Sequence, residues 1–354
     1  MLVQTEPQRL ARPKLLIGLA TEIQLRSVTS PRSVTAWMQP RYWKANLATA
    51  LQLEANRNDS FMSHKVFILG LGAQKAGTTW LHHELTQSPE TNMGELKEYK
   101  ALRNPEKNIS KQIKRWRKDK KILVQTLGIN QNPSIAEFSE LSKDQKQILM
   151  MIKNRYYFQY FKSLVAGSDN IKATGDISPH YCILNKNKLR HTKRELEKIG
   201  FQVKVVYLMR DPVERVWSQL RMIRRKQTNR LVCSYATEAE SLEALFAMER
   251  FARNTHYEIT INNIEKSFDP KDIFYDFYEN LFQESTLSRL SQFLGIAFSE
   301  PDFQTKINES PKNEPLSLEL NKKIALEYKE TYVKMIEKFG PSLYDLWPNS
   351  KFAQ

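Results

Sequence analysis

The sequence is poor in cysteine and has no hydrophobic run long enough to cross a bilayer. Its two cysteines, Cys182 and Cys233, are too few for a disulfide framework or a cysteine-built zinc cluster, and they favour a reducing compartment. The longest apolar runs, at residues 66–73 and 205–209, fall well short of the roughly 20 residues of a transmembrane helix. We therefore predict a cytoplasmic protein without a membrane span.

Negative charge is also scarce. The chain has 39 Asp and Glu against 54 Lys and Arg, and its formal net charge of +15 predicts an anionic partner such as a nucleotide, a nucleic acid or an acidic glycan. No nucleic-acid-reading motif is recognisable, so we expect no nucleic-acid partner. With 354 residues, 41% of them hydrophobic, the composition is that of a globular protein.

The first 61 residues show no sustained helical or strand periodicity. They include four prolines, which favours a disordered or weakly helical segment. An alternative is that Met62 is the initiator and that the preceding stretch is not native. In either case we place the folded domain at residues 62–354.

From residue 62 onward, strands and helices alternate. A buried strand at 66–71 precedes a helix at 78–86, and a second buried strand at 203–209 precedes a helix at 213–225, for which Asp211 is a natural N-cap. This pattern predicts an α/β fold in which both strands are parallel and central. Further elements are predicted as helices at 107–121, 148–165, 241–253 and 285–294, and as a short strand at 272–277.

The turn after the first strand, residues 72–79, has glycines at both ends of a Gly-x4-Gly frame. Such a turn presents backbone N–H groups to an anion at the start of a helix, and Lys75 adds a mobile positive charge. Thr78 occupies the position of the lysine found in nucleotide hydrolases. A P-loop nucleotide kinase or NTPase is therefore the alternative reading, disfavoured because the Lys-Ser/Thr pair for β/γ-phosphates and magnesium is missing.

The turn after the second strand carries Arg210. Its planar guanidinium suits a phosphate monoester, and Ser218 lies two turns along the following helix, where its hydroxyl can reach the same group. The alternatives are an ion pair between Arg210 and Glu214 and a solvated Ser218.

Residues 72–81 and 205–218 together resemble two motifs of the sulfotransferases that use 3′-phosphoadenosine 5′-phosphosulfate (PAPS): their 5′-phosphosulfate loop and their 3′-phosphate motif. The pattern is closest to glycan and bacterial sulfotransferase-domain proteins. The resemblance implies a P-loop NTPase-like three-layer fold with a central parallel sheet, PAPS as sulfuryl donor, adenosine 3′,5′-bisphosphate as product, and no metal. It implies nucleotide contacts from Lys75, Ala76, Gly77, Thr78, Thr79, Trp80, Arg210, Ser218, Lys306 and Lys312.

The same resemblance implies two catalytic residues. Lys75 would neutralise the charge on the departing phosphate, and Glu98 would be the base that deprotonates a hydroxyl or amine acceptor. Lys97 would bind phosphosulfate or substrate. Tyr99 replaces the first residue of the Phe pair that often follows this Glu in the family, so Glu95 remains an alternative base.

The segment 176–181 resembles the Glu-Lys-Thr/Ser-Pro-x-Tyr segment of glycan sulfotransferases, with Asp176 in place of Glu and Ile177 in place of Lys. The resemblance implies that Asp176 and His180 bind substrate, and His180 is a further alternative for the base. The acceptor stays open among glycans, lipids, peptide tyrosines and small metabolites. The basic run at 97–121 fits either a cleft for an acidic acceptor or a solvated helix face.

Overall fold

The computed structural model describes residues 65–103, 133–301, 303, 312 and 315–353. Its centre is a four-stranded sheet in the order β2, β1, β3, β4, in which every pairing is parallel. The strands are β1 (Lys65–Gly72), β2 (Ala173–Ile177), β3 (Phe201–Met209) and β4 (Ile273–Phe277). The predicted α/β class is confirmed, and so is the central position of the strands predicted at 66–71 and 203–209.

Helices connect and flank the strands. In chain order they are α1 (Thr78–Gln87), α2 (Ile135–Ser139), α3 (Lys143–Ile152), α4 (Asn154–Val165), α5 (Lys186–Glu197), α6 (Pro212–Lys226), α7 (Arg230–Cys233), α8 (Glu238–Leu245), α9 (Glu249–Ala252), α10 (Tyr257–Glu265), α11 (Glu284–Leu294), α12 (Leu318–Glu327), α13 (Lys329–Phe339) and α14 (Leu343–Leu346). Short 3₁₀ turns lie at Pro179–Ile183, Pro270–Asp272, Tyr278–Asn280 and Pro348–Phe352.

Strand β1 is buried along its whole length, as its unbroken apolar sequence predicts for the middle of a parallel sheet. The Phe67 ring packs edge-on against the rings of Phe161 and Phe201, at centroid distances of 5.0 and 5.7 Å. The one charged residue of the strand, Lys65, donates hydrogen bonds to the carbonyls of Ser168 and Ile171. The carboxyl ends of β1, β2 and β3 therefore emerge side by side from one rigid core.

The helix predicted at 148–165 is wrong as a single element. Lys153 is extended, with φ −131° and ψ 90°, and it separates α3 from α4. The cause is burial: the four consecutive residues Ile148, Leu149, Met150 and Met151 are all buried, and one straight helix cannot turn them and the aromatic face of α4 to the same core. The region 241–253 is likewise divided, into the end of α8 and the whole of α9.

Strand β2 and helices α5, α12 and α13 were not predicted from the sequence. The predicted extension 1–61 and the predicted helix 107–121 lie outside the described residues. Within the described ranges, no helix combines the length and apolar character that a membrane crossing requires.

Candidate functional site

The loop between β1 and α1 leaves the start of α1 open to a ligand. Gly77 is the N-cap of the helix, with φ +86°, and no side chain caps this end or places an acidic group in its first turn. The positive φ favours glycine, and a Cβ at Gly77 would also lie 2.2 Å from Leu281 Cδ2, so the Leu281 side chain would have to shift to admit one. The first N–H groups of α1 have no partners within the helix and carry the positive end of its dipole, which favours an anion.

Lys75 lies in this loop in a left-handed conformation, with φ +72°. Burial and the nearby cations lower the pKa of its ammonium to about 8. Those cations are Arg210, Arg225, Arg221 and Lys226. Among the described residues, no carboxylate pairs with Lys75. The loop is thus a region of concentrated positive charge, which an anion would neutralise.

Arg210 joins the second motif to this loop. It follows β3, and its Nη1 donates to the backbone oxygen of Lys75, 135 positions away in sequence, at 3.4 Å. Its Nη2 also pairs with Glu214 at 3.1 Å, and its guanidinium lies 4.2 Å from the centroid of the Tyr278 ring. The ion pair anticipated as an alternative is therefore present, but Arg210 Nε is buried without a hydrogen-bond partner. Asp211 caps α6 as predicted, accepting from the N–H groups of Val213 and Glu214.

Ser218 and Lys312 lie on the same side of α6 as Arg210. Ser218 is buried, and no described residue hydrogen-bonds to its hydroxyl. Lys312 Nζ contacts Glu214 Oε1 at 2.8 Å and lies 4.8 Å from the Trp217 ring. Arg210 and Lys312 thus both contact the carboxylate of Glu214, which lies one helical turn before Ser218. Lys306 lies outside the described residues.

The other loop residues of the predicted nucleotide site differ in exposure. Ala76 and Trp80 are buried at 0% and 2% exposure, and Thr78 is buried as well, whereas Thr79 is half-buried. The Trp80 ring packs against Phe282 and Phe303. The side chains of Ala76 and Trp80 are therefore part of the core, although Trp80 Nε1 is buried without a hydrogen-bond partner among the described residues.

Glu98 begins a second group of polar residues, beyond the end of α1. Its carboxylate pairs with Lys97 and Lys100, each at 3.1 Å. Burial alone would raise the pKa of Glu98, but the two lysines outweigh it and hold the pKa below the usual range. Glu98 is consequently ionised at neutral pH, as a proton acceptor must be.

Asp176 lies below this group, with no exposed surface. Its carboxylate accepts hydrogen bonds from Ser178 Oγ and the Tyr181 hydroxyl at 2.6 Å, from the Tyr157 hydroxyl at 3.2 Å and from the Tyr99 N–H at 3.4 Å. Burial raises its pKa to about 6. These four bonds tie Asp176 to Tyr99, which follows Glu98, and to the turn that contains Tyr181, so its carboxylate is engaged within the chain; the predicted substrate contact stays a prediction.

Two neutral histidines lie near Glu98. Burial, followed by Arg103, lowers the pKa of His180 to about 4, and burial, followed by Lys97, lowers that of His82 to about 4. Buried ring nitrogens, Nδ1 of His180 and Nε2 of His82, have no hydrogen-bond partner. Glu95, in contrast, is exposed and pairs with Lys146 at 2.6 Å. His180 is thus the better-placed alternative base.

The turn at Pro179–Ile183 connects the two groups. A Cβ at Gly72 would lie 2.6 Å from the Pro179 carbonyl oxygen, so the loop between β1 and α1 packs directly on this turn. On its other side, Ser178 Oγ accepts from the Lys100 N–H at 3.2 Å. We call the group around Lys75 and Arg210 the nucleotide half, and the group around Glu98 and His180 the acceptor half.

Comparison with known proteins decides the family. A model of the sulfotransferase family matches residues 66–300, which span the sheet and both halves of the site. The chain belongs to the sulfotransferase family. The comparison with curated proteins found no match.

The chain is similar to solved structures of sulfotransferases. The sulfotransferase from Alicyclobacillus acidocaldarius superimposes with a TM-score of 0.50, at 14% identity, over 77% of this chain and 95% of its own. The sulfotransferase domain of the Synechococcus PCC 7002 olefin synthase gives a TM-score of 0.39, 15% identity and coverage of 69% and 80%. The sulfotransferase domain from the curacin biosynthetic pathway gives a TM-score of 0.38 at 17% identity, over 74% of this chain and 96% of its own. The first likeness supports the P-loop-like fold of this sulfotransferase.

Arg253 was not predicted as part of the acceptor half, whereas Lys100 and Arg103 lie in the basic run at 97–121, which the sequence left open between a cleft for an acidic acceptor and a solvated face. Lys100, Arg103 and Arg253 surround His180, and their charges act on it. No local pattern marks Arg253, because it lies at the end of the four-residue helix α9 and reaches the site only through tertiary packing. Within the described residues, no group of three or more His, Cys, Asp or Glu side chains is arranged to hold a metal ion.

Proposed function

We propose that this sulfotransferase transfers a sulfuryl group from PAPS to a hydroxyl or amine of an acceptor. The observation that carries the proposal is the contact between Arg210 and the Lys75 carbonyl, which places both anion-binding motifs at one point beside the uncapped start of α1. PAPS carries an anionic group at each end of its ribose, and two separate cationic positions suit such a molecule.

The residues fit a bisphosphorylated nucleotide. The open N–H groups of α1 and the Lys75 ammonium would hold the 5′-phosphosulfate. Arg210, with a buried Nε that lacks a partner, and Ser218, whose hydroxyl has none within the described chain, would hold the 3′-phosphate. Lys312 would add a further cation on that side, since it shares Glu214 with Arg210.

The chemistry assigned to the protein has two parts. Lys75 neutralises negative charge that grows on the phosphate oxygen as its bond to sulfur breaks. Glu98 accepts the proton of the attacking hydroxyl or amine, and Lys97 and Lys100 orient its carboxylate. When bound, PAPS supplies the activated sulfuryl group.

Thermal shift with two nucleotides tests the donor. Adenosine 3′,5′-bisphosphate should stabilise the protein much more than adenosine 5′-phosphate, because Arg210 and Ser218 are assigned to the 3′-phosphate. Equal shifts for the two nucleotides would contradict the proposal. A larger shift with magnesium ATP would support a nucleotide kinase or NTPase. Mass spectrometry of an acceptor panel incubated with PAPS then tests transfer directly, by the mass of an added sulfate.

A further inference from the structure

Two arginines lie against the turn at Pro179–Ile183 from different parts of the chain. Arg103 follows Leu102, whose N–H donates to the Tyr181 hydroxyl at 3.3 Å. Arg253 precedes Asn254, whose side-chain oxygen accepts from Cys182 Sγ at 3.5 Å. Both arginines are therefore held next to His180, which lies in the same turn.

The backbone that carries Arg253 is fixed by a third, fully buried arginine. Arg215 Nε donates to Thr255 Oγ1 at 2.8 Å, and its Nη2 donates to the Phe251 carbonyl at 3.0 Å. These bonds bracket Arg253 on both sides in sequence. On the other side of the turn, Leu102 is fully buried, which anchors Arg103. The backbone positions of both arginines are thus determined by packed neighbours.

Neither Arg103 nor Arg253 pairs with a carboxylate within the described part of the chain, although both are half-buried. Arg253 Nε is buried and has no hydrogen-bond partner. Arg210 and Arg289, in comparison, pair with Glu214 and Asp276. Burial lowers the pKa of Arg103, and the nearby positive charge of Arg253 lowers it further, because like charges disfavour the charged form. Two partly desolvated cations without a counter-ion form a place where an anion is stabilised.

These arginines are separate from the nucleotide half. The cations that most lower the pKa of Lys75 are Arg210, Arg225, Arg221 and Lys226. Around His180 the influential cations are instead Arg103, Lys100 and Arg253. Lys100 is already engaged by Glu98, so Arg103 and Arg253 are the cations left to receive a ligand on this side.

We propose that Arg103 and Arg253 form an anion subsite that binds a carboxylate or sulfate group on the acceptor, so that the substrates are acidic molecules. The guanidinium groups suit either oxyanion because each presents paired N–H donors in a plane. The subsite lies beside His180 and near Glu98, so an anchored acceptor would present its hydroxyl or amine to the base. This inference rests on the proposed function, since it concerns the acceptor of that reaction.

Matched probes test the subsite by calorimetry, with and without saturating adenosine 3′,5′-bisphosphate. The first pair is para-nitrophenyl glucuronide and para-nitrophenyl glucoside, which differ only in the carboxylate. The second pair is N-acetylglucosamine 6-sulfate and N-acetylglucosamine, which differ only in the sulfate. We expect the acidic member of at least one pair to bind about tenfold or more tightly, as is typical of charged hydrogen bonds. Equal binding within both pairs, including no detectable binding of any probe, would overturn the proposal.

Variants assign the preference to the two arginines. Arg103→Met and Arg253→Met should each reduce the affinity of the acidic probe to nearly that of its neutral partner, while Arg253→Lys should keep part of it. The matched control is Arg250→Met, since Arg250 is exposed on the same short helix α9. An acidic preference that survives in both methionine variants would overturn the assignment.

Bisphosphate affinity, measured in the same samples, separates this proposal from the proposed function. If the wild-type protein binds the bisphosphate but shows no preference for the acidic probes, only the proposal of the subsite is rejected. If the protein prefers the acidic probes but does not bind the bisphosphate, the assignment of PAPS as the donor is rejected instead. Retained bisphosphate affinity in the variants also confirms that they are folded.

Discussion

The two halves of the site hold their cations in different ways. In the nucleotide half, Arg210 and Lys312 both contact Glu214, and aromatic rings of Tyr278 and Trp217 lie against them. In the acceptor half, within the described residues, Arg103 and Arg253 have neither a carboxylate nor a hydrogen-bond partner for their side chains. Arg210 and Lys312 are thus held by a carboxylate before any ligand arrives, whereas Arg103 and Arg253 depend on a ligand for neutralisation, as Lys75 does in its loop.

This difference has a consequence for recognition. A preorganised cation loses little freedom when it binds, which suits a co-substrate that is the same in every turnover. Cations without a counter-ion gain most from a charged ligand and discriminate against a neutral one, because a neutral ligand leaves them unpaired and desolvated. In the proposed reaction, Arg210 and Lys312 would thus contribute to donor affinity, and Arg103 and Arg253 to selection among acceptors.

The substitution Glu98→Gln is expected to give the largest difference between the effect on turnover and the effect on nucleotide affinity. If Glu98 is the base, turnover should fall by about 10²- to 10⁴-fold, the usual contribution of general-base catalysis. The affinity for adenosine 3′,5′-bisphosphate should be unchanged, because Glu98 contacts Lys97 and Lys100 and no residue of the phosphate-binding loop. Single-turnover kinetics and calorimetry measure the two quantities.

The matched control for that variant is Glu95→Gln, three residues earlier, where the carboxylate is exposed and pairs with Lys146. We expect it to keep most of the turnover. Near-normal turnover in Glu98→Gln would assign proton removal to His180, whose unpartnered Nδ1 lies on the same side of the site.

The substitution Lys75→Ala tests the nucleotide half, as Glu98→Gln tests the acceptor half. The rate of the chemical step should fall by about 10²- to 10³-fold, the effect of removing one preorganised donor to a transition-state charge. Bisphosphate affinity should fall less, because Arg210 and the N–H groups of α1 remain. Lys198→Ala, a change at an exposed lysine that pairs with Glu195, is the control. Normal turnover in Lys75→Ala would contradict the assignment of residues 72–81 as a phosphosulfate-binding loop.

The two halves also differ in how well the sequence predicts them. Lys75 and Arg210 could be chosen as candidates from the sequence because each lies in a short strand, turn and helix unit, where neighbours in sequence are neighbours in space; the structure brings them into contact, and their roles stay predictions. The acceptor half brings together residues 97–103, 176–182 and 253, which only the folded sheet and α9 place side by side. Its motif could be recognised at Glu98 and Asp176, but the burial of Asp176 and the approach of Arg253 depend on tertiary packing.

Asp176→Ala tests the internal support of the acceptor half. The change leaves buried donors on Ser178, Tyr181 and Tyr157 without their acceptor. We expect the free energy of unfolding to fall by about 3 kcal/mol or more, since each unsatisfied buried group costs about 1 to 3 kcal/mol. Urea denaturation measures the loss. Asp169→Ala, at an exposed position, should stay within about 0.5 kcal/mol of the wild type. A similarly small change at Asp176 would contradict its positioning role.

The smallest effect concerns the pH dependence of the nucleotide half. Lys75 must be protonated to neutralise the leaving phosphate, and burial with the surrounding arginines lowers its pKa to about 8. Above that pH the free enzyme loses the charge, so kcat/KM for PAPS should fall about tenfold per pH unit. The limb in kcat should lie at higher pH, because a bound anion favours the protonated ammonium.

In Lys75→Arg, which keeps its charge throughout this range, the limb in kcat/KM near pH 8 should disappear even if the rate is reduced. Neither Glu98 nor His180 accounts for such a limb, since the pKa of Glu98 is held below its usual range and that of His180 is about 4. A limb that stays near pH 8 in Lys75→Arg would therefore assign the titration to another group and separate the charge of Lys75 from catalysis.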